Sequence, residues 1–335
     1  MGAFRVAMLG CGQVSADHMV AWSRCRGAQV VVTCDIRRER AEGRAREFGV
    51  AAVYDTAEAL FAREHFDLVD IATPRETHAE LVRLAAHHGV HTLCEKPLCP
   101  THAEAVALVS DVGGSIRLMV NENWRYRLYY TRIGDWIREG RVGAIVNYRI
   151  ALWRSNMIPG ADGVPIALKR QPFMAKEARL LIAECLIHEL DVTRSLLGEL
   201  RVVAARIGRA SHQVIGEDTA SILIETAGGV PVTVEGVLSA AGHPARTGDR
   251  LEIAGTRCSV LLDDAVLRLF GAEQEEHRFE ESEARQSCFD ASIQHFVDRM
   301  ASGEPFWTSA EDQLETLKLV DDAYALAGSL RRLAP

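Results

Sequence analysis

The sequence predicts two domains: an α/β first half on a parallel sheet, then an α+β half on a large, mainly antiparallel open sheet. Three observations predict this. The first 120 or so residues alternate short β-branched runs with helical stretches on short links, the pattern of a parallel sheet covered on both faces. After Asn121 strand-like segments follow one another without helices, which implies antiparallel pairing. The chain of 335 residues is long for one core and comfortable for two. The boundary is placed to give domains 1–122 and 123–335.

In the first half, strands are expected at Phe4–Leu9, Gln29–Cys34, Leu68–Ile71, His91–Cys94 and Ile116–Val120. Helices are expected at Ala16–Arg24 and Arg37–Phe48. Two more open on the capping boxes Thr77-x-x-Glu80 and Thr101-x-x-Glu104, the first stopped by Gly89. In the second half, helix Tyr129–Glu139 leads to a long strand, Ala144–Arg154. Residues 155–176 hold Pro159, Pro165 and Pro172 and read as a long loop, a form that is often functional. Helix Ala178–Leu197 follows, stopped by Gly198. Six strands come next: Arg201–Ile207, Thr219–Thr226, Val230–Leu238, Leu251–Ala254, Cys258–Leu262 and Ala265–Phe270. Helices Cys288–Ala301 and Ala310–Leu326 close the chain.

A formal charge of −8 with no basic run argues against nucleic-acid and anionic-membrane partners. No apolar run approaches the roughly 20 residues of a membrane span, and the N-terminus shows no signal pattern. Eight scattered cysteines form no Cys-x-x-Cys pair, so neither a zinc site nor any other metal is expected, and a reducing cytoplasm fits.

Between the first strand and helix lies Gly10-Cys11-Gly12-Gln13-Val14-Ser15. There a glycine loop has a mechanism. Gly10 allows the tight turn, and Gly12 lets backbone approach a pyrophosphate seated on the helix N-terminus. Ser15 replaces the third glycine and is small enough for close helix–strand packing. Asp35 ends the second strand, where an acid binds ribose hydroxyls. These features point to a Rossmann domain binding a dinucleotide through Gly10, Gly12, Gln13, Val14 and Asp35, with an ordinary glycine turn of an α/β protein as the alternative. NAD is expected over NADP, with Arg37 and Arg38 as the complication, because an arginine there can hold a 2′-phosphate.

Two polar clusters suggest chemistry. Glu95-Lys96-Pro97 follows a strand at the carboxyl edge of the sheet, where ligands sit, although a single lysine is ordinarily a solvated charge. Glu184, His188 and Asp191 share a face of an apolar helix, where the histidine is poised as a proton acceptor or is simply satisfied by a helix salt bridge. Asn123, Trp124, Arg125, Tyr126, Trp153 and Arg154 are candidates to line a pocket, with packing an equal alternative. His18 and His78 lie near the cofactor or serve as capping or surface residues. No Gly-x-Ser-x-Gly elbow suggests a hydrolase.

Together these residues resemble the glucose–fructose oxidoreductase / inositol dehydrogenase / MocA family. The resemblance is carried in order by Gly10-x-Gly12, Asp35, Thr73-Pro74-x-x-x-His78, Glu95-Lys96-Pro97 and Glu184-x-x-x-His188-x-x-Asp191. The segment Ile137-Arg138-Glu139-Gly140-Arg141-Val142-Gly143 also resembles the family's passage into its C-terminal sheet. The resemblance implies Lys96 and His188 as a catalytic pair with Glu184 beside them. It adds Arg37, Thr73, Pro74, His78, Glu95 and Lys96 to the cofactor site. It implies a sugar, inositol or related polyol as substrate, contacted by Lys96, Asn123, Arg125, Trp153, Glu184 and His188. Glu184-Cys185-Leu186 stands where the family usually has Asp-x-Gly, which reshapes the site. Two other functions share these residues: glycoside cleavage through transient oxidation, and non-catalytic dinucleotide binding by a regulator. Val230, Val232 and Val234, at alternate strand positions, are expected on an uncovered sheet face that pairs a homodimer or homotetramer.

Overall fold

The computed structural model describes residues 2–245 and 249–333. The chain divides into two compact units, one of residues 2–126 and 285–317, the other of residues 127–284 and 318–333. The sequence places everything after residue 122 in one domain; in the structure residues 285–317 pack with the first unit.

The first unit alternates β1 (Phe4–Leu9), α1 (Ser15–Arg24), β2 (Ala28–Cys34), α2 (Arg38–Phe48), β3 (Ala52–Tyr54), α3 (Ala57–Arg63), β4 (Leu68–Ile71), α4 (His78–His87), β5 (His91–Glu95), α5 (His102–Val112) and β6 (Leu118–Asn121). All strand pairs are parallel, in the order β3-β2-β1-β4-β5-β6. The order reverses direction between β1 and β4, which opens a crevice at their carboxyl ends. β3 and α3 escape a sequence reading: β3 has only three residues, all half-buried, too short to show a period. At Thr101 the N-cap bond forms, with Oγ1 accepting from Glu104 N at 3.3 Å. The Thr77 box does not. Its hydroxyl bonds Pro74 O and Thr73 Oγ1 instead, because the chain enters α4 through a 3₁₀ turn.

In the second unit, α6 (Leu128–Arg138) leads to β7 (Ile145–Trp153). The expected loop contains α7 (Ile166–Arg170) and a 3₁₀ turn at Pro172–Lys176. The expected helix from Ala178 begins only at Ile182, as a π turn to Leu186, and continues as α8 (Ile187–Leu197). Then come β8 (Leu200–Arg209), β9 (Thr219–Thr226), β10 (Pro231–Val237), β11 (Asp249–Gly255), β12 (Cys258–Asp263), β13 (Val266–Gly271) and β14 (Glu275–Arg278). After α9 (Glu281–Ser302) and α10 (Ala310–Ala327), β15 (Arg331–Arg332) completes a nine-stranded sheet, order β14-β13-β12-β11-β7-β10-β9-β8-β15. Most pairs are antiparallel, but β10 lies parallel to β7 because the long connection through α8 returns it alongside.

The sheet's two faces differ. Val202, Ile224, Val232, Tyr148, Ile253, Val260 and Leu269 form one row across it, and all are buried. The neighbouring row is Ala204, Leu223, Thr233, Arg149, Glu252, Leu261 and Arg268. Val232 and Val234 therefore lie on the covered face, fully buried, and the expectation of an exposed valine stripe is wrong. Gly236, in the same strand, sits against Leu181 and Leu186, which shows what covers that face. The opposite face carries ion pairs, Arg149–Glu235 at 2.9 Å and Arg268–Glu276 at 2.7 Å among them.

Residues 285–317 return to the first unit for an apolar reason. Phe289, Ile293, Phe296 and Val297 make a helical stripe that is buried against Met8, Met19, Trp22 and Met119. Each such side chain stabilises by about 1.5–3 kcal/mol when fully buried. No helix among the described residues is long and apolar enough to cross a membrane.

Candidate active site

The glycine turn follows β1 at the crevice. Gly10 has φ +87°, and a Cβ there would lie 2.4 Å from Ala72 O, so only glycine fits. At Gly12 the position of a Cβ has no atom within 4 Å, a space open to a close ligand. No side chain caps α1, whose N-terminus therefore stays open to an anion. Asp35 Oδ2 accepts from Cys11 N and Oδ1 from Arg37 N, both at 2.8 Å, so the carboxylate fixes the loop. Ser15 does more than fill space. Its hydroxyl donates to Gly12 O at 2.7 Å and accepts from Arg44 Nε at 3.0 Å. Arg44 also reaches Gly12 O, at 3.2 Å. Gln13 and Arg37 are exposed and Val14 is half-buried. These residues fit a dinucleotide: an open glycine, an uncapped helix end and a fixed acid.

Thr73 and Pro74 follow β4 across the crevice, Thr73 half-buried and Pro74 exposed. His78 is buried, with Nδ1 2.9 Å from Pro97 O and Nε2 2.9 Å from Thr73 O. Burial holds its pKa below the ordinary value. A neutral ring has one N–H to donate to one of these carbonyls, and with the other alongside it sits between the Lys96-Pro97 turn and the Thr73 loop.

Behind Lys96 lies a buried charged cluster. His18 is fully buried, its Nδ1 2.7 Å from Asp70 Oδ2 and its Nε2 2.9 Å from Glu95 Oε1. Trp22 Nε1 also donates to Asp70 Oδ2, at 2.6 Å. Asn121 Nδ2 donates to Glu95 Oε1 at 2.7 Å, and Ser292 Oγ donates to Asn121 Oδ1 at 2.5 Å. Burial alone would lower the His18 pKa, but the two carboxylates outweigh it and raise it to about 10. Burial pushes Glu95 up, and His18 with Lys96 more than reverses this, so Glu95 stays below the usual carboxylate range. Sequence reasoning left His18 open and passed over Asp70, Asn121 and Ser292. The available signals were an aspartate inside a wholly buried strand and a histidine on the apolar face of α1.

Arg125 is buried and tied within its unit to Asp312 at 2.6 Å and Trp307 O at 3.0 Å. Asn123 is also buried.

In the second unit, Glu184 and His188 are half-buried and Asp191 is fully buried. The π turn ends between Glu184 and His188, so the α-helical spacing argument does not span them. Glu217, buried and missed by sequence reasoning, caps this helix start: it accepts from Leu180 N at 3.2 Å and Ile182 N at 3.0 Å, while Tyr324 donates to it at 2.5 Å. Trp153 is 37% exposed and packs edge-on to His243. Among the described residues no group of His, Cys, Asp or Glu is arranged to hold a metal.

The His18 cluster gives a pH signature. Below pH about 6.5 the ring is protonated in folded and unfolded chains alike, and its stabilisation is fully present. Above that only the folded chain keeps the proton, so stability falls as pH rises toward about 10. Melting temperatures measured from pH 6.5 to 10 should decline, with proton uptake on folding at pH 8; a flat profile contradicts the assignment.

Residues 4–113 match an oxidoreductase family with an NAD-binding Rossmann fold, and residues 130–261 match the GFO/IDH/MocA C-terminal domain. A D-apiose dehydrogenase from Rhizobium rhizogenes is 31% identical over 351 residues, spanning 99% of this chain and 97% of that protein. An inositol 2-dehydrogenase from Rhizobium meliloti is 26% identical over 98% of each. The crystal structure of an oxidoreductase from Agrobacterium radiobacter in complex with NAD+, L-tartaric acid and magnesium superposes with a TM-score of 0.90 at 29% identity, covering 97% of this chain and 96% of that one. With both halves matched and its glycine turn, Asp35 and Glu95-Lys96-Pro97 at the crevice, the chain belongs to the GFO/IDH/MocA family of NAD-binding oxidoreductases.

Proposed function

We propose that this oxidoreductase is a dehydrogenase that exchanges a hydride between NAD and a hydroxyl carbon of a sugar, inositol or related polyol, with Lys96 and His188 as its catalytic pair. The observation that carries this reading is Lys96 at the carboxyl edge, directly after a Glu95 held as a carboxylate by His18 and Asn121. D-apiose and inositol dehydrogenases among the relatives support the substrate class.

Bound NAD supplies the hydride acceptor. His188 takes the hydroxyl proton. The Lys96 ammonium orients the substrate oxygen and stabilises its developing charge. Glu184, one carbon longer than the aspartate expected there, binds a neighbouring hydroxyl or orients His188. Asp35 accepts from the ribose hydroxyls and repels a 2′-phosphate. Arg38 pairs on the surface with Glu42 at 3.0 Å and Asp55 at 3.8 Å, and Arg37 is exposed beside Asp35, so these two arginines are what the cofactor comparison must weigh against the acid. Two copies are proposed to pair across the sheet face that bears Arg149 and the exposed Leu223.

Three outcomes follow from this reading. A panel of sugars, inositols and sugar acids with NAD should reveal turnover that Lys96→Ala and His188→Ala each lower by about 10²-fold, with NAD binding intact. Near-normal turnover in both variants would refute the pair. The ratio of kcat/KM for NAD to that for NADP should exceed one, and Asp35→Ala should lower it. Light scattering should give at least twice the 36.9 kDa chain mass; a single species at that mass excludes pairing.

A further inference from the structure

We infer that His18 is a positioning residue for Lys96: clamped between Asp70 and Glu95, it fixes the carboxylate beside which the lysine works. This rests on the reading of Lys96 as the group that holds the substrate oxygen.

The geometry is specific. α1 supplies His18, β4 supplies Asp70 and β5 supplies Glu95, with Asn121 from β6 and Ser292 from α9 completing the chain of bonds. Asp70 Oδ1 is buried with no partner among the described residues, so Oδ2, shared by His18 and Trp22, carries all of that carboxylate's hydrogen bonds. Lys96 follows directly, and its backbone N–H donates to Glu95 Oε2 at 3.2 Å. The Lys96 charge also acts on Glu95.

A buried charged triple is a poor way to stabilise a core. Apolar side chains of the same volume are often as good or better. Here the triple does something apolar residues cannot: two carboxylates and one imidazolium sum to −1, which Lys96 balances. Without the imidazolium, two buried carboxylates share the single charge of Lys96. Either one takes a proton, or Glu95 turns toward the Lys96 ammonium and draws it from the substrate. Either outcome changes the charge beside Lys96, and the second also moves the lysine, while the glycine turn and Asp35 keep their own bonds. His18 is fully buried, so its part is to act through its neighbours.

The test is a double-mutant cycle on the full-length protein, using the best substrate from the sugar panel. His18→Gln should lower kcat about tenfold or more and leave the NAD Kd within about twofold. Added to Lys96→Met, it should cost less than about twofold, because the group it positions is gone. If His18→Gln keeps full turnover, or if the two losses multiply, His18 does not act through Lys96. If Lys96→Met itself keeps turnover, the reading of Lys96 fails and the positioning role with it. Because a variant at a buried site can fail to fold, the wild-type protein gives a second readout. NMR of ¹⁵N-labelled histidine, assigned through the contact of His18 with the Phe289 ring, should show both ring nitrogens protonated at pH 8. A neutral His18 ring there overturns the proposal.

Discussion

The bond pair Asp70–His18–Glu95 is the constraint on which the first unit's site depends. Removing several charges from water costs several kcal/mol each, and the cost is offset only while every partner holds its place. That requirement fixes how α1 meets β4 and β5. β4 is also held in register, with Met8 opposite Asp70 on one side and Leu93 opposite it on the other. The same convergence puts the Gly10 turn, the Thr73 loop and Lys96 at one edge of the sheet. His78 sits between two of these segments, beside a backbone carbonyl of each. The chemical edge thus stands on a polar interior, and the apolar core lies to either side of it.

Much of the first unit was legible in the sequence, because parallel strands buried on both faces read as short apolar runs. Phe4–Leu9 and Leu68–Ile71 were found to the residue. The glycine turn was legible too, since its residues serve local geometry. What escaped was long-range. Nothing near Asn121 in sequence announces Ser292, 171 residues away. Nothing near Leu180 announces Glu217 as its cap. The π turn escaped because apolar spacing cannot distinguish one added residue per turn from a change of face. The Thr77 box failed because a hydroxyl has several acceptors within reach and chose Pro74 O. The valines of β10 were located correctly as alternate residues, but alternation gives a face and does not say which side is covered.

The second unit shows how that ambiguity resolves. Leu181 and Leu186 meet Gly236, and the absence of a side chain there lets the helix segment lie close to the sheet. The face beneath is accordingly apolar from β8 to β13. The opposite face carries cross-strand charges, each exposed pair contributing at most about 1 kcal/mol. A surface of that kind gives register and specificity more than adhesion.

The first unit is discontinuous along the chain, and this bears on how it is made. Synthesis proceeds from the N-terminus, and most domains can fold as soon as they leave the ribosome. Here six strands emerge early, but the helix that supplies Phe289, Phe296 and Ser292 arrives more than 150 residues later. Until then one apolar side of the nascent sheet, and the asparagine end of its buried cluster, lack their native cover. The intervening segment must be translated in full before the first unit can close. For the same reason a fragment cut at residue 284, or a chimera joined there, would separate a core from its own lid.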